Sequence, residues 1–303
     1  MFKRLVLGPI LIVALVGLIW LDDAIDRTPT PAALEWLFRQ PTCPPGVIIT
    51  VVMLPLAFMA SRELARILRE KGIMASKGIT SLASISGLLT VALMPAELSA
   101  PLGATIVGTT ATIVLFAALL KYSAHHNVQG TVAAAGGTLL AFVYLGLMFA
   151  FVLAVRRDHS AFVLLWMLVS IKACDIGAYF TGRAIGRHKL ILWLSPGKTW
   201  EGLVGGVLTS AAVAAGGAVL LHRSGVANVG PWYIAAAGGL VFGLVGQAGD
   251  LIMSLFKRDA GRKDSGSSIP GFGGVLDVLD SPLLVAPVAF WYLHLLAQAP
   301  AAT

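Results

Sequence analysis

Residues 129–154 read QGTVAAAGGTLLAFVYLGLMFAFVLA, without one charged side chain. A helix that crosses the hydrocarbon core of a bilayer needs roughly 20 mostly apolar residues. The run has that length, and it lacks the ten-residue alternation of a membrane barrel strand. Eight further runs of the same kind lie near 5–21, 45–61, 79–97, 101–120, 161–181, 202–221, 231–252 and 282–298. The whole chain agrees with this reading. It is 57% hydrophobic and only 12% charged, where a soluble domain carries about a quarter charged residues. Its mean hydropathy is +0.85. The predicted fold is all-α: a polytopic integral membrane protein with about nine transmembrane helices.

The first run has Lys3 and Arg4 before it and Asp22 and Asp23 after it. No small-residue cleavage site follows, so a retained helix is expected rather than a signal peptide. Cys43 and Cys174 fall in a loop and a span, which predicts neither a disulfide nor zinc-ligand spacing. With nine spans and a cytoplasmic N-terminus, 16 of the 22 Lys and Arg residues fall on the inside. That asymmetry supports the orientation, with Arg156 and Arg157 against it. The charge of +7 is thus mostly topological, and no nucleic-acid partner is expected. In RELARILREK (62–71), Arg62, Arg66 and Arg69 share a face opposite Leu64, Ile67 and Leu68. This suits a helix at an anionic surface, although a plain stop-transfer flank explains it better.

By content the chain divides into residues 1–160, mostly spans, and residues 161–303, a catalytic membrane region. Loops 182–201 and 253–281 are expected on the cytoplasmic face. Glycine pairs at 136–137, 205–206, 216–217 and 238–239 are read as close helix packing.

Three polar clusters interrupt the apolar background. In KACDIGAYFTGRAIGRHK (172–189), Lys172 and Asp175 stand three apart on a helix and can pair. Ionisable groups inside a span are costly and generally line a polar cavity. In SPGKTWEG (195–202), Gly-Lys-Thr invites a P-loop reading. That pattern needs a glycine where Leu192 stands and a strand before it, so it is rejected. A tight turn is expected instead, with Lys198 and Thr199 at the mouth of a helix that suits a phosphate, and Glu201 favouring the helix start. The third cluster is SLFKRDAGRKDSGSSIPGFGGVLDVLDS (254–281), with Asp250 just upstream. Its glycines make no dinucleotide fingerprint. Asp277 and Asp280 are three apart at a helix start and are expected to share a face. With Asp250 and Asp264 they suit Mg²⁺, which takes one or two carboxylates and shares the rest with phosphate and water. Lys257, Arg258, Arg262 and Lys263 supply phosphate contacts. Such equipment serves phosphoryl or nucleotidyl transfer.

At these residues the chain resembles the phosphatidate cytidylyltransferase (CDP-diglyceride synthetase) family. Ser254, Phe256, Lys257, Arg258, Lys263, Asp264, Gly266, Ile269, Pro270, Gly273, Gly274, Val275, Asp277, Leu279 and Asp280 all fall in register with its signature. Asp175, Ala178, Tyr179, Gly182, Gly186 and Arg187, and the run Ser195–Gly202, look like the family as well. The match covers about residues 170–290. Two positions depart from the signature: its histidine is Phe272 and an arginine is Val278.

The resemblance implies CMP transfer from CTP to phosphatidate, giving CDP-diacylglycerol and pyrophosphate, with Mg²⁺ and an optional second cation. It implies catalytic roles for Asp250, Lys257, Arg258, Lys263, Asp264, Asp277 and Asp280, with Asp250, Asp277 and Asp280 on the metal. Substrate contacts fall to Asp175, Tyr179, Arg187, Ser195, Lys198, Thr199, Glu201, Gly273 and Gly274. The implied setting is the bacterial cytoplasmic membrane, with the bilayer as partner and a homodimer left open. A phosphomonoester is already mostly dianionic at neutral pH, so the attack needs no general base. The competing readings are a CTP-dependent kinase of a polyprenol-type alcohol, for which a base is expected, and a non-catalytic transporter or scaffold.

Overall fold

The computed structural model describes residues 2–26, 28–31, 42–95, 98–124, 128–226, 229–269, 271 and 273–298. Arg27, Arg39, Pro270, Phe272 and the side chains of Lys3 and Arg4 lie outside the described residues. The helices are α1 (Phe2–Ile25), α2 (Val47–Glu70), α3 (Lys77–Ala92), α4 (Ala100–Ser123) and α5 (Thr131–Leu140). A π-helical stretch, Ala141–Leu147, leads from α5 into α6 (Met148–Asp158). Then come α7 (Ala161–Ile185), β1 (Lys189–Ile191), β2 (Ser195–Thr199), α8 (Trp200–Arg223), α9 (Trp232–Asp259) and α10 (Leu276–Gln298). Each of the nine expected spans contains a helix, and residues 131–154 of the uncharged run lie in one continuous 28-residue span, Thr131–Asp158.

Among the described residues, eight helical spans are long and apolar enough to cross a membrane. Helix α3 has 16 residues and, at 1.5 Å per residue, rises only about 24 Å. That falls short of a hydrocarbon core roughly 30 Å thick.

By internal contacts the chain forms two compact units, each drawing on both halves of the sequence. One comprises Met1–Ile49, Ala154–Ile252 and Asp280–Thr303; the other comprises Thr50–Leu153 and Met253–Leu279.

In the first unit, helices approach by their backbones. Lipid gives apolar helices little reason to associate beyond packing, so small residues at the contact matter. A Cβ at Gly206 would lie 2.6 Å from the Cys174 carbonyl oxygen, and one at Gly239 would lie 2.7 Å from Ala214 Cβ. In the second unit, a Cβ at Gly137 would lie 2.8 Å from Leu68 Cδ1. Close packing therefore holds for those members of the glycine pairs. A Cβ at Gly136 or Gly216 meets nothing within 4 Å. Trp166 anchors the first unit's core. It stacks on Tyr292 at 6.1 Å, meets Phe242 edge-on at 5.8 Å, and donates through Nε1 to the Ala214 oxygen at 2.9 Å. In the second unit, α3 packs on the π-helical stretch so closely that a Cβ at Gly87 would sit 2.8 Å from Gly146 Cα.

The first unit also gives Arg156 its partners. Arg156 is 1% exposed and pairs with both Asp22 and Asp26, while its Nη1 donates to the His159 oxygen at 3.1 Å. Asp22 also accepts from Ile49 N at 3.1 Å. Burial pushes the Asp26 carboxyl above its usual value, although Arg156 pulls it down. Arg156 is thus a buried ion-pair partner, not a loose loop charge. Removing one partner of a buried pair leaves an uncompensated charge, so Arg156→Met should cost about 3 kcal/mol. Thermal unfolding in detergent checks this. The loss should shrink markedly when Asp22→Asn and Asp26→Asn are already present, and an equal loss in both backgrounds would refute the pairing.

Candidate active site

The first unit gathers a chain of polar groups where α7, α8, α9 and α10 carry their few charges. Two strands set it up. Residues 189–191 pair antiparallel with 195–199, in the register Lys189↔Thr199 and Ile191↔Ser195. Gly197–Thr199 is therefore extended strand, and the turn falls at 192–194 instead. The tight turn expected at Ser195–Thr199 is corrected accordingly. The strand runs straight into α8, whose N-cap is Thr199. Its hydroxyl accepts from Gly202 N at 3.1 Å, satisfying one of the orphan first-turn donors. Glu201 does more than favour the helix start. Its carboxylate accepts the His188 N–H at 3.2 Å and lies 2.6 Å from His188 Nδ1, tying the hairpin's entry to its exit.

With the hairpin so fixed, Lys198 reaches α9. Its Nζ lies 2.8 Å from Asp250 Oδ2 and 3.4 Å from the Gln247 carbonyl oxygen. The Gln247 side chain donates to Asp175 Oδ1 at 3.1 Å, and Asp175 Oδ2 takes Lys172 at 3.1 Å, the pair expected from their spacing. Asp280 is 4% exposed and has Asp250, Lys172 and Asp175 as charged neighbours. The helices that carry the two acids nearly touch, since a Cβ at Gly249 would lie 2.6 Å from the Asp280 carbonyl oxygen. Asp280 Oδ1 takes the Ser281 N–H at 2.7 Å.

Three carboxylates thus face two lysines, an excess of one negative charge in a half-buried place. Asp250 and Asp280 each keep one oxygen with no hydrogen-bond partner among the described residues. An all-oxygen set of two carboxylates with free lone pairs suits a hard cation such as Mg²⁺, which fills its remaining positions with water and phosphate oxygens. Among the described residues, no three His, Cys, Asp or Glu side chains converge as a ready-made cage.

Asp277 belongs to the second unit and has other partners. Lys257 Nζ lies 2.7 Å from its Oδ1, with both side chains largely buried. Its Oδ2 accepts from Ser265 N, Ser265 Oγ and Gly274 N, each at 2.9 Å. Gly273 stands at φ 100°, where a Cβ would fall 2.6 Å from Asp277 Oδ2. A short bridge between Ile269 and Gly273 closes the loop. Sequence reading did not find the carboxylate at its centre, Glu63 of α2. It is 4% exposed and accepts from four groups of the loop.

The remaining expected residues are more loosely placed. Arg262 pairs with Glu70, and Asp259 with Lys71 at 3.0 Å. Arg258, Lys263 and Asp264 are exposed, as is Arg187. Tyr179 is exposed and accepts from Arg183 at 2.9 Å, and Ser195 is half-buried in β2. Val278, at the position of the missing arginine, is half-buried.

Apolar helices of spanning length, carrying a lysine–carboxylate cluster beside a helix-capping hairpin, define a polytopic membrane protein. The chain belongs to the Cytidylyltransferase family, whose profile matches residues 36–296. Among curated proteins it is 43% identical over 137 residues to the phosphatidate cytidylyltransferase of Haemophilus influenzae, covering 44% of this chain and 45% of that one. It is 36% identical over 170 residues to the phosphatidate cytidylyltransferase of Staphylococcus haemolyticus, covering 56% of this chain and 63% of that one. It is also 40% identical over 135 residues to the uncharacterized protein YnbB of Escherichia coli, covering 45% and 43%. The chain thus spans about half the length of the curated relatives it matches.

Proposed function

We propose that the protein transfers CMP from CTP to phosphatidate, releasing pyrophosphate and forming CDP-diacylglycerol, with its charged loops on the cytoplasmic side of a bacterial membrane. One observation carries the reading beyond family membership: Lys198 and Asp250 in contact beside the buried carboxylate Asp280. Two relatives with matching segments are named phosphatidate cytidylyltransferase, which supports the choice of acceptor.

In the proposed reaction a phosphate oxygen of phosphatidate attacks the α-phosphorus of CTP. A new P–O bond forms, the bond from the α-phosphorus to the oxygen leading to the β-phosphorus breaks, and pyrophosphate leaves with that electron pair. No proton has to be removed from the attacking group. The difficulty is bringing two polyanions together, which fixed cations relieve. Lys198, steered by Asp250, would meet the CTP phosphates, and Gln247 would keep Asp175 and Lys198 in register. Asp250 and Asp280 would hold Mg²⁺, which supplies charge neutralisation for the leaving group when bound. The Lys257–Asp277 pair would stiffen the signature loop, so Lys257 acts there as a structural cation more than as a free phosphate contact.

Labelled CTP tests this directly. Purified protein given phosphatidate, Mg²⁺ and α-labelled CTP should move label into a chloroform-soluble product. Label reaching a lipid alcohol from γ-labelled CTP, with none from the α-position, would replace the proposal with a kinase.

A further inference from the structure

Glu63 lies within a run of the chain that reads as an ordinary basic flank of a span. Its surroundings are not ordinary. Oε1 accepts from Ser268 Oγ at 2.6 Å and Val275 N at 3.0 Å; Oε2 accepts from Ser265 Oγ at 3.1 Å and Leu276 N at 3.0 Å. All four donors belong to the signature loop or to the first residue of α10. A buried carboxylate is tolerated when its lone pairs are filled in this way.

Two further observations make the arrangement specific. A Cβ at Gly266 would lie 2.8 Å from Glu63 Oε1, and one at Gly274 would collide with the Glu63 carboxyl. Glu63 closes the space at Gly266, and at Gly274 it does so together with Ser265 Oγ, which a Cβ would meet at 2.1 Å. Ser265 is fully buried, and its single hydroxyl proton is shared between Glu63 Oε2 at 3.1 Å and Asp277 Oδ2 at 2.9 Å, which links Glu63 to the carboxylate that holds Lys257. The start of α10, where free N–H groups would ordinarily attract an anion, is already occupied by Glu63.

We infer that Glu63 is a positioning residue for the signature loop. It holds Ser265, Ser268, Val275 and Leu276 in place and thereby fixes Asp277 and Lys257. Its carboxylate oxygens are taken up by these protein donors, so it acts through the loop. For its effect on activity the inference rests on the cytidylyltransferase reading; for the loop itself it does not.

The test is Glu63→Gln. One acceptor oxygen becomes an NH₂ group facing donors, which should free the loop. Trypsin cleavage after Arg262 or Lys263 should then accelerate at least tenfold in detergent. A misplaced loop should lower kcat by about 10- to 100-fold. The KM for CTP should stay within about threefold, because the groups assigned to CTP are anchored separately from Glu63. Ser268→Ala, which removes one of the four donors, should show a weaker version of both effects and serves if Glu63→Gln is not recovered folded. Unchanged cleavage in both variants would overturn the inference. So would faster cleavage with wild-type kcat, since Glu63 would then be structural only. Faster cleavage in a protein whose unmutated form makes no CDP-diacylglycerol would uphold the hold on the loop and sink the functional reading alone.

Discussion

Replacing Asp280 by asparagine should abolish CMP transfer, by at least about a thousandfold in kcat, without loss of folded protein. The reason lies in the balance of charge around it. Asp280 is almost fully buried, and its neighbours include two further carboxylates, so it is a poor choice if the site were built for stability alone. Burying an uncompensated charge costs several kcal/mol. Asparagine keeps the shape and can still accept from Ser281, so the fold should tolerate it. It loses the charge that a divalent cation would answer. The check is kcat with detergent-purified variant, together with thermal unfolding and size-exclusion profiles. Activity within tenfold of wild type at saturating Mg²⁺ would remove Asp280 from the chemistry. Asp250→Asn should likewise lower kcat and raise the Mg²⁺ concentration needed for half-maximal activity, but it also frees Lys198 and is the less clean test.

Lys198→Met should lower kcat/KM for CTP by about a hundred- to a thousandfold, the usual scale for losing one fixed group that stabilises developing charge. Methionine preserves the length and apolar stem of lysine, so the hairpin and the Thr199 cap should persist. The variant leaves Asp250 without its ammonium partner and the phosphates without a cation. If CTP binding alone suffers, KM rises and kcat holds; if the cation acts in the transition state, kcat falls as well. Lys198→Arg should not rescue fully, because a planar guanidinium does not replace a compact ammonium against one carboxylate oxygen. Wild-type kcat/KM in Lys198→Met would show that the contact with Asp250 is only a structural tie.

The spans were legible because bilayer thickness writes itself into sequence as apolar runs, and each expected run contains a helix. The short α3 was read with the others because its run of apolar residues continues past Ala92, where the helix ends. The hairpin at 189–199 was not legible. Strands of three and five residues show too little alternation to register, and its Gly-Lys-Thr looks like a turn. The Lys172–Asp175 pair was legible from spacing alone, since both lie on one helix. Partners distant in sequence were hidden: Asp22 and Arg156 are 134 residues apart, and Glu63 and Leu276 are 213 apart. Asp277 and Asp280 show the limit of spacing arguments. Three apart on one helix, they were expected to act together, yet one is neutralised by Lys257 and the other sits among Asp250, Asp175 and Lys172. A lone glutamate in an arginine-rich flank gives no sign that four donors converge on it. Only the loop's glycines at 266 and 274 hint that something must fit against them.

The most direct test of the central claim is product stoichiometry. Detergent-purified protein is supplied with CTP, phosphatidate and Mg²⁺, and the lipid product is identified by mass while pyrophosphate is counted. The expected result is one pyrophosphate for each CDP-diacylglycerol, with neither formed when Mg²⁺ is chelated. CDP released alongside a newly phosphorylated lipid, or lipid left unchanged while CTP is bound, would contradict it.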